Sequence, residues 1–249
     1  MLPMKTNILP GETLEDLQCG GLFLIQKEDG FRFGTDAVLL ADYAKLIKST
    51  KTLDLCTGSG IVPILLSNKT DTPEFHAVEI QKDIADMAKR SVDYNNLGER
   101  IHIFEGDLKN APLNFSASSF DLITCNPPYM KSGSAILNQT DTKIISRHEV
   151  LCTLEDIIKV SARLLKYNGH LVMIHRPNRL TDVLSQMRNN FIEPKVLRFI
   201  HTSPEKPPIL FIIDGMLRAK SDMKILAPLI MYDDEGHETS ELKAIYERI

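Results

Sequence analysis

The chain has 249 residues, 43% of them hydrophobic, with a formal net charge of −4. That is ample for one large core and argues against a protein that coats nucleic acid by charge alone. No run approaches the ~18 uninterrupted apolar residues of a membrane helix. The stretch from Met1 to Asn7 lacks the apolar core of a secretory signal. Cys19, Cys56, Cys125 and Cys152 show neither CxxC nor metal-ligand spacing, so the expectation is a reduced, cytoplasmic protein without a metal site.

In chain order, the first dozen residues, with Pro3, Pro10 and Gly11, read as a loose lead-in. Gln18 to Gln26 reads as short strand material around Gly20-Gly21. Residues 1–30 are therefore taken as an N-terminal lead-in and 31–249 as the main domain. From Ala37 to Ala44 the apolar spacing is helical, and Thr35 or Asp36 can cap it. Lys51 to Cys56 is a core strand. It runs through Asp54-Leu55-Cys56-Thr57-Gly58-Ser59-Gly60 into a helix with Pro63 in its first turn, where proline is welcome. Gly58 and Gly60 let a ligand approach the backbone, and a helix N-terminus offers free N–H groups. Proline at 63 replaces the third glycine of a dinucleotide fingerprint, which disfavours a nicotinamide or flavin site.

Phe75 to Glu79 is the next strand, ending in an acid that can accept both hydroxyls of a ribose. Ile84, Ala88 and Val92 mark a helix closing near Gly98. Ile101 to Phe104 is a third strand leading to Asp107, which can accept an amino group. A fourth, Ser119 to Thr124, precedes Cys125-Asn126-Pro127-Pro128-Tyr129-Met130. The two prolines end the ladder and hold the turn stiff and open at the strand's carboxyl end, where open α/β sheets bind ligands. The Asn126 side-chain oxygen and the Pro127 carbonyl are then two fixed acceptors, suited to an NH2 group conjugated to a ring or carbonyl. Tyr129 offers a flat face for stacking.

Beyond the turn, Thr153 to Tyr167 is expected to be a helix and His170 to His175 a fifth strand. Leu180, Leu184, Met187 and Phe191 mark another helix. Lys195 to Ile200 and Ile209 to Asp214 form an antiparallel edge pair. Asp233 to Gly236 is a turn before a closing helix. Residues 147–224 carry 13 Lys and Arg against 8 Asp and Glu, a local +5, which leaves room for a phosphate-facing surface.

These features together resemble the class I S-adenosylmethionine-dependent methyltransferases that carry Asn-Pro-Pro-Tyr. Within them the chain is most similar to the bacterial tRNA1(Val) adenine-37 N6-methyltransferase family. Phe31 to Ala44, the Arg147-His148-Glu149 loop and the stretch from Lys206 to Tyr246 carry the narrower match. The resemblance implies an α/β Rossmann-like fold: a mostly parallel seven-stranded sheet with an antiparallel edge strand and helices on both faces. It implies S-adenosylmethionine as cofactor, cradled by Asp54, Gly58 and Gly60, with Glu79 at its ribose, Asp107 at its adenine and Thr35 near its methionine end. Asn126, Pro127 and Tyr129 would hold the target adenine of a tRNA, and Asn126 would also border the cofactor. Arg147 reads either as part of a lid that meets a phosphate or as part of a salt-bridged loop. For His148 the structural role is favoured, since amine methylation needs no general base. Methylation of a protein glutamine, as in release factors, of ribosomal RNA or of a small molecule is the neighbouring reading. A non-enzymatic RNA-binding module is the reading from another class.

Overall fold

The computed structural model describes residues 8–29, 34–128 and 152–247. The readings placed on Phe31 to Phe33, on Tyr129 and on Arg147, His148 and Glu149 lie outside these residues.

Strands β1 (Glu12–Asp16) and β2 (Phe23–Lys27) form an antiparallel hairpin separate from the main sheet. Gly20-Gly21, both at positive φ, form the turn rather than the middle of a strand. The hairpin is clasped by helix α3 (Lys82–Tyr94). Ser91 Oγ accepts the Ile25 amide, and Asn95, just past the helix, both accepts from and donates to the Phe23 backbone. Arg90 closes the clasp on Glu12 with two hydrogen bonds of 2.6 and 2.7 Å.

The main sheet has seven long strands: β3 (Lys51–Leu55), β4 (Glu74–Glu79), β5 (Ile101–Glu105), β6 (Phe120–Cys125), β7 (Leu165–His175), β8 (Ile192–His201) and β9 (Pro208–Leu217). Two short strands, β10 (Lys224–Ile225) and β11 (Leu229–Ile230), pair with β8. From one edge to the other the order is β5-β4-β3-β6-β7-β9-β8. All neighbours are parallel except β9, which runs against both β7 and β8. Order reverses between β3 and β6, and this is where the carboxyl-end crevice of an open α/β sheet lies.

Alternation along each strand divides the core into two layers. Leu122, Val172 and Ile174 face α1 (Thr35–Ala44), α2 (Ile61–Lys69) and α3. Ile123, Leu171 and Met173 face the opposite layer. That layer is built from α4 (Ala111–Asn114), α5 (Leu154–Leu164) and α6 (Leu180–Asn189), while α7 (Ser240–Ile245) joins the first. No described helix is long and apolar enough to cross a membrane.

Several boundaries differ from the sequence reading. The N-cap of α1 is Gly34, extended and without a side-chain bond, while Asp36 accepts the amide of Ala37 from inside the first turn. Helix α3 stops at Tyr94, and Asn96, not Gly98, takes the left-handed conformation. Helix α5 carries the expected Thr153 cap, as a reciprocal capping box with Asp156, but ends at Leu164. Its last turn gives way to β7, which has already paired Leu165 with Phe120. In α6 the buried residues are Val183 and Met187, and Phe191 lies beyond the helix.

Candidate active site

The carboxyl ends of β3, β4, β5 and β6 bring together Asp54, Glu79, Asp107 and Asn126. Parallel pairing sets the register. Asp54 is the Cα partner of both Ala77 and Thr124, and Glu79 is the partner of Glu105.

After Leu55 the chain turns sharply. Cys56, Gly58 and Gly60 all adopt positive φ, at 58°, 58° and 86°. At Gly58 a Cβ would meet open space, so the turn leaves a bare cradle of backbone. At Gly60 it would make an ordinary contact of 3.4 Å with the Cβ of Ala88, and it is the left-handed backbone that favours glycine there. Gly60 also caps α2. Glu79 fixes this turn. One of its oxygens accepts the Gly58 amide at 2.9 Å and the other accepts the Gln81 amide at 2.9 Å. The Gly106 amide bonds the Glu79 carbonyl at 2.8 Å, tying the ends of β4 and β5 together. Glu79 is thus both a ligand candidate and the clamp that shapes the cradle.

Asp54 is buried on the α1–α2 face of the sheet, and Thr124 donates its hydroxyl to it at 2.6 Å. Burial pushes the Asp54 carboxyl up to about 7, opposed by the Thr124 hydroxyl and assisted by the charge of Glu79. Its unfolded value is near 3.8, so ionising it costs more in the folded chain. The associated stability is full below about pH 4 and is lost as pH rises to 7, on the order of 4 kcal/mol in all. Asp54→Asn should therefore be more stable than the parent at pH 8 and gain nothing at pH 4. Urea unfolding at the two values checks this, and a gain independent of pH would refute it.

Asp107 is placed where expected but is partly occupied. It caps the short turn Leu108–Asn110, accepting the Lys109 amide at 2.9 Å, and pairs with the Lys109 ammonium at 3.2 Å. Thr35 opens α1, half-buried, and joins none of the hydrogen bonds described around the strand ends.

Asn126 follows Cys125, whose Cα partner is Leu55, so it emerges across from Cys56, two residues before Gly58. Its Oδ1 is buried and has no hydrogen-bond partner among the described residues. A buried acceptor left unpaired costs on the order of 1–3 kcal/mol, so its persistence at a strand end points to a donor supplied by a ligand. Pro127 is buried beside it.

Two polar residues at this edge of the sheet went unremarked in the sequence reading. Thr124 looked like an ordinary strand residue, and only the β3–β6 register gives it to Asp54. His175 ends β7 at the same edge, stacked on Phe211 with ring centroids 6.3 Å apart. Burial and the nearby Arg179 lower its value to about 4, so the imidazole is neutral at pH 7. Its Nδ1 accepts the Arg176 amide at 2.8 Å, which places the proton on Nε2.

The donor set fits S-adenosylmethionine. Buried or part-buried carboxylates at three strand ends suit a ligand with two cationic centres, a ribose diol and an aminopurine, and the open Gly58 turn admits it against the backbone. Strand order, the glycine turn after β3 and the acid ending β4 define the class I, S-adenosylmethionine-dependent methyltransferases, and this chain is one of them.

Residues 28–198 match the model of the methyltransferase small domain family, and the chain belongs to that family. Among curated proteins it is similar to the tRNA1(Val) (adenine(37)-N6)-methyltransferase of Porphyromonas gingivalis, 29% identical over 183 residues, 71% of each chain. The enzyme of the same name from Parabacteroides distasonis is 25% identical over 211 residues, 84% of this chain and 86% of that one. Among solved structures, a predicted O-methyltransferase of Agrobacterium tumefaciens superposes with a TM-score of 0.70 at 20% identity, over 86% of this chain and 96% of that one. The ribosomal protein L11 methylase of Lactobacillus delbrueckii gives 0.52 at 18%, over 76% and 83%. At these identities the structural matches speak for the fold.

Proposed function

We propose that the enzyme methylates the N6 amino group of an adenine in tRNA, at position 37 of tRNA1(Val). The Oδ1 of Asn126, buried without a partner among the described residues, beside Pro127 and across from the glycine turn, carries the reading. The names borne by its relatives, from Porphyromonas to Parabacteroides, supply the substrate.

An adenine amino group is a poor nucleophile because its lone pair is delocalised into the ring. Asn126 Oδ1 and the Pro127 carbonyl accept its two hydrogens, favour the pyramidal nitrogen and offset the positive charge that develops there. Tyr129, by the family resemblance, stacks on a ring taken out of its own stack. S-adenosylmethionine, when bound, supplies an electrophilic methyl group to the attacking nitrogen. Asp54, Gly58, Gly60, Glu79 and Asp107 hold the cofactor, with Thr35 toward its methionine end. No general base is called for, since the nitrogen loses its proton to solvent after attack. Catalysis rests on positioning and fixed dipoles.

The test is methyl transfer from labelled S-adenosylmethionine to tRNA prepared from cells lacking this gene, read by nucleoside mass spectrometry and fragment mapping. N6-methyladenosine at position 37 is expected. A methylated protein glutamine or small amine, with no RNA product, would replace this reading.

A further inference from the structure

The site at the strand ends leaves the basic stretch 147–224 largely unused, and part of it gathers at the far edge of the sheet. Asn190 caps helix α6, and the next residue, Phe191, has φ of 61°. Glycine is favoured at this position because the left-handed region crowds a Cβ. Here a phenylalanine takes it with its side chain 70% exposed, a backbone cost with little burial in return. Arg218, itself at φ 57°, donates its amide to the Phe191 carbonyl at 2.7 Å and lays its guanidinium 5.6 Å from the ring centroid. Beside this pair, Lys195 Nζ bonds the Lys220 carbonyl at 3.0 Å, and Lys224 in β10 pairs with Val196, the neighbour of Lys195. Arg188 is matched by Glu193 at 3.4 Å, which leaves Lys195, Arg218, Lys220 and Lys224 opposed in this stretch by Asp222.

We infer that this face docks the RNA substrate: the Phe191–Arg218 pair stacks on an unpaired base, and the lysines meet phosphates. The inference rests on the RNA reading proposed above. In a chain of net charge −4, a local excess of cations around an exposed ring suits a polyanion that carries aromatic bases. A second copy docking by two-fold symmetry would set these cations against their own kind. Phe191 precedes the amino end of β8, one strand of 10 residues and about 30 Å at ~3.3 Å per residue from the carboxyl edge of the sheet, and Lys224, opposite Val196, lies about half that far from it. The face therefore governs affinity and orientation and leaves the chemical step alone.

The experiment compares tRNA binding over a range of salt, KM for tRNA, kcat and cofactor affinity in three proteins. These are the parent, the triple variant Lys195→Gln, Lys220→Gln, Lys224→Gln, and Phe191→Ala. The triple variant should flatten the slope of log affinity against log salt by about 2, at roughly 0.7–0.9 per lost phosphate contact. Phe191→Ala should weaken binding roughly tenfold with the slope retained. In both, KM rises while kcat and cofactor affinity hold, the last showing that the variants fold. If the parent methylates tRNA and neither variant changes affinity or slope, the docking face is wrong and the function stands. If the parent neither binds nor methylates RNA, both fall. Loss of self-association in the triple variant, with RNA affinity intact, would give the face to a second copy instead.

Discussion

Asn126→Ala is expected to bind S-adenosylmethionine with nearly parental affinity and to turn over roughly 10²–10³-fold more slowly, the effect of removing one preorganised hydrogen-bonding group aimed at developing charge. The asymmetry follows from where the side chain sits. Its Oδ1 is buried without a described partner, so truncation breaks no described bond of that oxygen and relieves an unsatisfied acceptor. The proposed cofactor cradle lies on other strands, at the Gly58 turn that Glu79 holds. Stability should hold or rise slightly, while the nucleophile loses one of the two acceptors that make it reactive. Single-turnover assays paired with calorimetry check this. Equal losses of turnover and cofactor affinity would move Asn126 from the target base to the cofactor.

Glu79→Ala should do the reverse of sparing the cofactor. The carboxylate accepts the amides of Gly58 and Gln81, each at 2.9 Å. Without it, two amides lose a charged acceptor, costing about 1–3 kcal/mol apiece in so buried a place, and the turn that shapes the cradle loosens. Cofactor affinity should fall at least 100-fold, with a lower urea midpoint. Glu79→Gln separates the two roles, since a neutral amide keeps one acceptor for the turn but meets a ribose diol less well. Affinity unchanged in Glu79→Ala would remove this residue from the site.

The motif-bearing local structure was legible along the chain. Strand, glycine turn and helix announce themselves from Lys51 to Leu66 by apolar periodicity, two glycines and a proline placed where a helix tolerates it. The stiff acceptors at Asn126-Pro127 are equally local, since proline fixes its own torsions and restricts its neighbour's. Element ends were less legible, because tertiary pairing overrides local propensity there. The polar run Glu12-Thr13-Leu14-Glu15-Asp16 becomes a strand by pairing with β2 and by the hold of Arg90 on Glu12. Phe191 fits the spacing of a helix face, yet the chain turns there to enter β8, fastened by Arg218.

Asp54, Glu79, Asp107 and Asn126 were each identifiable as strand-end polar residues. Only the parallel register decided what each one does in the fold. It set Thr124 against Asp54, aimed Glu79 at the Gly58 amide and left Asn126 Oδ1 without a partner among the described residues. It also brought three cysteines that look scattered in the sequence to one edge. Cys125 is the Cα partner of the residue before Cys56, and Cys56 Sγ lies 3.9 Å from Cys152 Sγ. Sequence by itself determined the chemistry available at each strand end, because side-chain type and backbone stiffness are local properties. The tertiary structure decided which of those groups meet, because hydrogen bonds and charge shifts depend on distances between residues far apart in the chain.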